Sequence, residues 1–81
     1  MSVYSPLQEY LGKLQRPSWK ASFAEVERIL GRKLPYSAYN YPAWWGNNAY
    51  RGRHSKAWLD IGWKTESLDL VGGTVTFKKA A

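Results

Sequence analysis

Cysteine is absent from this chain of 81 residues. Neither a disulfide nor a thiolate-bound metal can therefore hold the fold together. A chain this short buries a modest share of its surface and has a thin stability margin. Its core must come from apolar and aromatic side chains alone. Five Trp, six Tyr and two Phe are available for it, and each buried ring removes a large apolar area from water. A single domain over residues 1–81 is the expectation.

Local signals then place the elements. Ser5-Pro6-Leu7-Gln8 reads as a helix start, with Ser5 as the cap, Pro6 in the first turn and Gln8 completing a capping box. Leu7, Tyr10, Leu11 and Leu14 form its apolar stripe, and Pro17 ends it. Ser18 to Ala21 reads as a short strand containing Trp19. Ser22 and Glu25 make a second capping box. Phe23, Val26, Ile29 and Leu30 follow at helical spacing, and Gly31 stands where a left-handed C-cap belongs. Glu25, Glu27 and Arg28 fall on the solvent side of this helix.

Pro35 to Tyr39 suits one helical turn, broken at Tyr41-Pro42 because a residue before proline avoids the helical region. Ala43-Trp44-Trp45 reads as extended, with one indole inside and one outside. Gly46-Asn47-Asn48 is turn chemistry, and Tyr50 to His54 reads as an exposed basic loop. Ser55 can cap a third helix that turns Ala57, Trp58 and Ile61 inward and closes at Gly62. Trp63 to Leu70 reads as a strand in which a bulge near Ser67 reconciles Trp63 and Leu68 with one core. After Val71-Gly72-Gly73, the segment Thr74 to Lys78 alternates cleanly, with Val75 and Phe77 inward.

The fold class is α+β: three helices with a C-terminal β-hairpin, either winged-helix-like or a small antiparallel sheet packed on helices. A winged helix would make the third helix the reading element and Gly72-Gly73 the wing tip. The long stretch between the second and third helices fits that arrangement poorly.

The pattern resembles a small family of prokaryotic and phage domains of unknown function. It runs through Ser22-Phe23-Ala24-Glu25-Val26-Glu27, Ile29-Leu30-Gly31, Leu34-Pro35 and Ser37-Ala38. It continues with Trp44-Trp45-Gly46-Asn47, Ala57-Trp58, Gly62-Trp63 and Val75-Thr76-Phe77, and it covers the chain from Tyr4 to Lys78. The resemblance implies a stand-alone or fused small domain and brings no activity with it.

Function is argued from charge. The formal charge is +6. The segment from Arg28 to Leu59 has no acid and carries Arg28, Arg32, Lys33, Arg51, Arg53 and Lys56, whereas cations and acids balance elsewhere. Tyr36, Tyr39, Tyr41, Trp44, Trp45, Tyr50 and Trp58 are interleaved with those cations. Positive charge among flat π-faces suits a polyanion that carries bases.

The first reading is a small nucleic-acid-binding domain, with duplex DNA ahead of RNA, in a regulatory or architectural role. Arg32, Lys33, Arg51, Arg53 and Lys56 would sit on phosphates. Trp45, Asn47 and Tyr50 would contact sugars or bases, Trp45 by stacking and Asn47 by pairing with adenine. His54 lies in the same loop. The second reading is a protein-interaction module or inhibitor that presents an aromatic-arginine patch to an acidic partner, since Tyr, Trp and Arg also dominate protein hot spots.

Catalysis ranks third. His54 is the single histidine, so its one catalytic reading is the general base of a metal-independent ribonuclease. Paired-carboxylate, phosphate-loop and nucleophile-elbow motifs are missing. The chain is therefore read as a non-enzyme, with no metal and no cofactor. No apolar run approaches the roughly 18 residues of a membrane span, and no signal peptide is evident. A cytoplasmic location is the default. A homodimer fits so small a footprint, although no heptad seam requires one.

Overall fold

The computed structural model describes residues 3–47 and 54–80. Helix α1 spans Ser5–Lys13, strand β1 Ser18–Ser22 and helix α2 Phe23–Leu30. A short helix α3, Tyr36–Asn40, leads into a 3-10 turn at Pro42–Trp45. Helix α4, Lys56–Leu59, then precedes strands β2, Trp63–Asp69, and β3, Thr74–Lys79. The strands form one antiparallel sheet in the order β1-β3-β2. The expected α+β class holds, in the form of a small sheet packed on helices.

Helix α2 forms where its local chemistry directs. Ser22 Oγ accepts from the Glu25 amide at 3.0 Å, and a Glu25 carboxylate oxygen accepts from the Ser22 amide at 2.9 Å. Gly31 ends the helix at φ 74°, a conformation that costs glycine little. Helix α1 departs from expectation. Its N-cap is Tyr4, whose carbonyl accepts from the Leu7 and Gln8 amides, and no side chain caps it. Ser5 already lies inside the helix, and the Gln8 side chain reaches across to the Lys56 carbonyl at 3.4 Å instead of closing a box.

Alternation along the sheet separates two faces. Trp19, Ala21, Trp63, Thr65, Val75 and Phe77 are buried against the helices. Ser18, Lys20, Lys64, Glu66, Thr76 and Lys78 sit in the opposite phase of the same strands. The expected bulge is present: the β2–β3 register slips between Glu66 and Asp69, and Ser67 takes φ 50°. Leu68 is thereby returned to the edge of the core. Leu7 and Leu11 of α1, Phe23, Val26 and Leu30 of α2, and Ala57 and Trp58 of α4 complete the interior.

Three other expectations are corrected. Ala43-Trp44-Trp45 is coiled into the 3-10 turn, not extended, because Pro42 is preset for the first position of a helical turn. Helix α4 is one turn long, and two of its four residues, Ala57 and Trp58, are buried. It lacks the length and the free face of a helix that reads a major groove, although β1, between the first two helices, pairs with the C-terminal hairpin as in a winged helix. Ser55 precedes α4 as expected but makes no side-chain cap.

Because the Ser22 cap satisfies donors that begin α2, Ser22→Ala should destabilise the domain by about 1 kcal/mol. Urea unfolding should show a lower midpoint at unchanged slope.

Candidate nucleic-acid interface

The aromatic segment is locked to the sheet through Trp45 and Asn47. Trp45 is 2% exposed. Its ring stacks on Phe23 with centroids 4.8 Å apart and lies nearly parallel to Trp58 at 6.3 Å. Its indole N–H donates to the Ala38 carbonyl at 2.7 Å, which ties α3 to the turn. The Thr65 hydroxyl donates to the Trp45 carbonyl.

Asn47 continues the same attachment. Its Nδ2 donates to the Thr65 carbonyl at 2.9 Å, and its Oδ1 accepts from the Thr65 amide at 2.8 Å. The orientation of β2 explains why a side chain is needed there. Ala80 N donates to Gly62 O at 2.7 Å. In that antiparallel ladder Gly62, Lys64 and Glu66 turn their backbone groups toward β3, and Thr65 turns its own outward. One carboxamide thus replaces the missing neighbouring strand. Trp45 is core, not an outer stacking surface, and both functions of the Asn47 carboxamide are engaged within the fold.

Trp44 is half-buried and holds His54. The two rings are stacked 4.0 Å apart at 6°, and His54 Nε2–H donates to the Trp44 carbonyl at 2.6 Å. Tyr4 meets the same two rings, at 6.0 Å from Trp44 and 5.8 Å from His54. Behind them, Trp58 is fully buried, and its indole N–H has no hydrogen-bond partner among the described residues. Tyr50, Arg51 and Arg53, expected in the interface, lie outside the described residues. So does Asn48.

Arg32, Lys33 and Lys56 are exposed as expected. The first two follow α2, where Glu27 proves more than a solvated charge. Its carboxylate accepts from the Leu34 amide at 2.8 Å and from the Tyr39 hydroxyl. The Tyr39 bond, then the Leu34 amide, and more weakly Lys33, hold the Glu27 carboxyl below its ordinary value against the opposing effect of burial. The same hydrogen bond to Glu27, with burial and the carboxylate charge added, pushes Tyr39 up to about 12.

This tie sets a corner where α2, α3 and the 3-10 turn meet. Tyr36, Tyr39 and Tyr41 are 72%, 41% and 56% exposed there. Tyr36 and Tyr41 meet edge to face at 6.3 Å, and Asn40 Nδ2 donates to the Tyr36 carbonyl at 2.9 Å. The sequence interleaves these tyrosines with the cations, but the base and sugar contacts expected from it fall on Trp45, Asn47 and Tyr50 instead. The usable signal was spacing: within one helical turn, Tyr36 and Tyr39 share a side, and the small Ala38 takes the inner one.

A family described as "Domain of unknown function (DUF7662)" matches residues 4–81. The chain belongs to that family. No curated protein and no solved structure matches it. Among the described residues no group of three or more His, Cys, Asp or Glu could hold a metal ion. No helix among them is long and apolar enough to cross a membrane.

The Glu27–Tyr39 pair predicts a pH signature of opposite sign at the two extremes. The lowered Glu27 carboxyl stabilises the fold above the ordinary carboxylate range, and that contribution is lost as pH falls through its lowered value. The raised Tyr39 hydroxyl stabilises below the ordinary tyrosine range and is lost as pH rises toward about 12. In thermal melts across pH, Glu27→Gln should flatten both limbs relative to wild type, with its stability deficit greatest near neutrality.

Proposed function

We propose that this domain binds nucleic acid at the corner formed by α2, α3 and the 3-10 turn. The observation that carries the reading is the exposure of Tyr36, Tyr39 and Tyr41 beside the exposed cations Arg32 and Lys33. Stacked bases on aromatic faces, with cations tracking the backbone, is the mode of single-strand recognition. Lys56, at the start of α4, adds a further phosphate contact.

The polymer favoured is single-stranded. Helix α4 has neither the length nor the free face of a helix that enters a duplex groove. Unpaired bases, in contrast, can reach tyrosine rings. His54 is assigned a structural role, pinning the chain onto Trp44 beyond the Asn47 attachment. The role proposed is regulatory or architectural, in the prokaryotic or phage setting that the family resemblance implies. A protein partner is the competing reading, since exposed tyrosines also make protein hot spots.

Fluorescence anisotropy with labelled single-stranded DNA, RNA and duplex DNA decides between them. Single strands should bind most tightly. Tyr36→Ala with Tyr41→Ala should weaken binding by about 1–3 kcal/mol per stacked base. Arg32→Gln with Lys33→Gln should reduce the log–log salt slope by about 1.4 on a single strand. Absence of salt-sensitive binding to any of the three polymers would overturn the reading and direct attention to a protein partner.

A further inference from the structure

Outside the segment from Arg28 to Leu59 the charges of the chain cancel in number, but the fold gathers three of the lysines on one face of the sheet. Strands β1 and β2 begin, and β3 ends, at the same end of the sheet. In the cross-strand row there, Ser18, Lys78 and Lys64 are register partners. Lys20 stands in the next row, on the same face. Lys79 extends the end of β3 and donates its amide to the Pro17 carbonyl at 2.8 Å, beside the exposed Arg16. One carboxylate, Glu66, closes the Lys20 row, and Asp69 lies at the other end. Glu66 is opposite Thr76, not a lysine, and Asp69 accepts from the Gly72 amide at 2.9 Å in the turn.

The Lys64–Lys78 pairing is the telling part. Like charges directly opposite on neighbouring strands destabilise a sheet. Exchanging Lys64 for a neutral residue would relieve that repulsion without disturbing the core, because Lys64 faces solvent. The cost is offset when an anion lies across the pair.

We infer that the solvent face of the sheet, at the end carrying Lys20, Lys64 and Lys78, is a second contact surface for the phosphate backbone of nucleic acid. The inference rests on the nucleic-acid reading above but uses residues independent of the tyrosine corner. The chemistry of the face selects phosphate over other anionic partners. The two rows hold Lys20, Lys64 and Lys78, the hydroxyls of Ser18 and Thr76, and one acid, Glu66, without an aromatic or aliphatic side chain. Protein interfaces need a buried aromatic or apolar centre and are depleted in lysine. A membrane surface would call for apolar residues to insert. Lysine and hydroxyl contacts without base readout are the usual means of holding a backbone.

The test is the variant Lys20→Gln/Lys64→Gln/Lys78→Gln, titrated with the oligonucleotide that wild type binds best, over a series of salt concentrations. The salt slope should fall by about 2 on a single strand, roughly 0.7 per lysine. Tyr36→Ala/Tyr41→Ala should weaken binding and leave the slope intact. Lys64→Gln alone should raise the melting temperature while weakening binding, a combination that a purely structural lysine would not produce. A triple variant that keeps wild-type slope and affinity, while the tyrosine variant weakens, overturns this surface and leaves the corner standing. Equal wild-type affinity for poly-glutamate of matched charge overturns the assignment to phosphate. Failure of wild type to bind any nucleic acid overturns both readings.

Discussion

The bond on which the rest of the structure depends is the pairing of Asn47 with the main chain of Thr65. Strand β2 is an edge strand whose Thr65 amide and carbonyl face away from β3. These groups lie beneath the aromatic segment, where unpaired backbone groups would be costly. The carboxamide presents one acceptor and one donor at the spacing a neighbouring strand would offer, at 2.8 and 2.9 Å. With that edge closed, Trp45 can be driven into the core, its carbonyl held by the Thr65 hydroxyl and its ring against Phe23 and Trp58. An otherwise irregular stretch thereby becomes part of the sheet. The opposite edge, β1, is short, follows Pro17 and carries Lys20, features that discourage pairing with another chain.

From that attachment the disposition of the surface follows. The Trp45 indole holds the Ala38 carbonyl, so α3 sits with Ala38 inward and Tyr36 and Tyr39 outward. Glu27 fixes the same helix from the other side through Tyr39 and the Leu34 amide. A core made of rings thus leaves other rings exposed on a rigid frame, next to cations that no acid in their segment neutralises. The rigidity matters physically: a platform that is already ordered does not lose side-chain entropy again on binding.

Signals confined to a few neighbouring residues were legible in the sequence. The Ser22–Glu25 box, the Gly31 cap, the bulge at Ser67 and the Val75/Phe77 alternation each depend on contacts within one element or its turn. Features set by distant partners were not. Adjacent Trp44 and Trp45 gave no means of telling which indole is buried, because the deciding groups, Thr65 and Phe23, lie about twenty residues away on either side in the chain. Asn47 looked like a turn residue or a base reader for the same reason. Glu27 looked solvated because Tyr39 and Leu34 are not on its helix. Charge counting along the chain placed the positive surface in the middle segment alone. Strand register, invisible to counting, gathers further lysines at one end of the sheet.

Native-state hydrogen exchange at the Thr65 amide tests this account most directly. If Asn47 serves as the missing strand, that outward-facing amide should be as strongly protected as the Lys64 and Glu66 amides that bond β3, because its opening requires the aromatic segment to leave the sheet. Exchange of Thr65 at the rate of an exposed edge amide, with Lys64 and Glu66 still protected, would contradict it. The tyrosine corner would then lack the rigid attachment on which its proposed role depends.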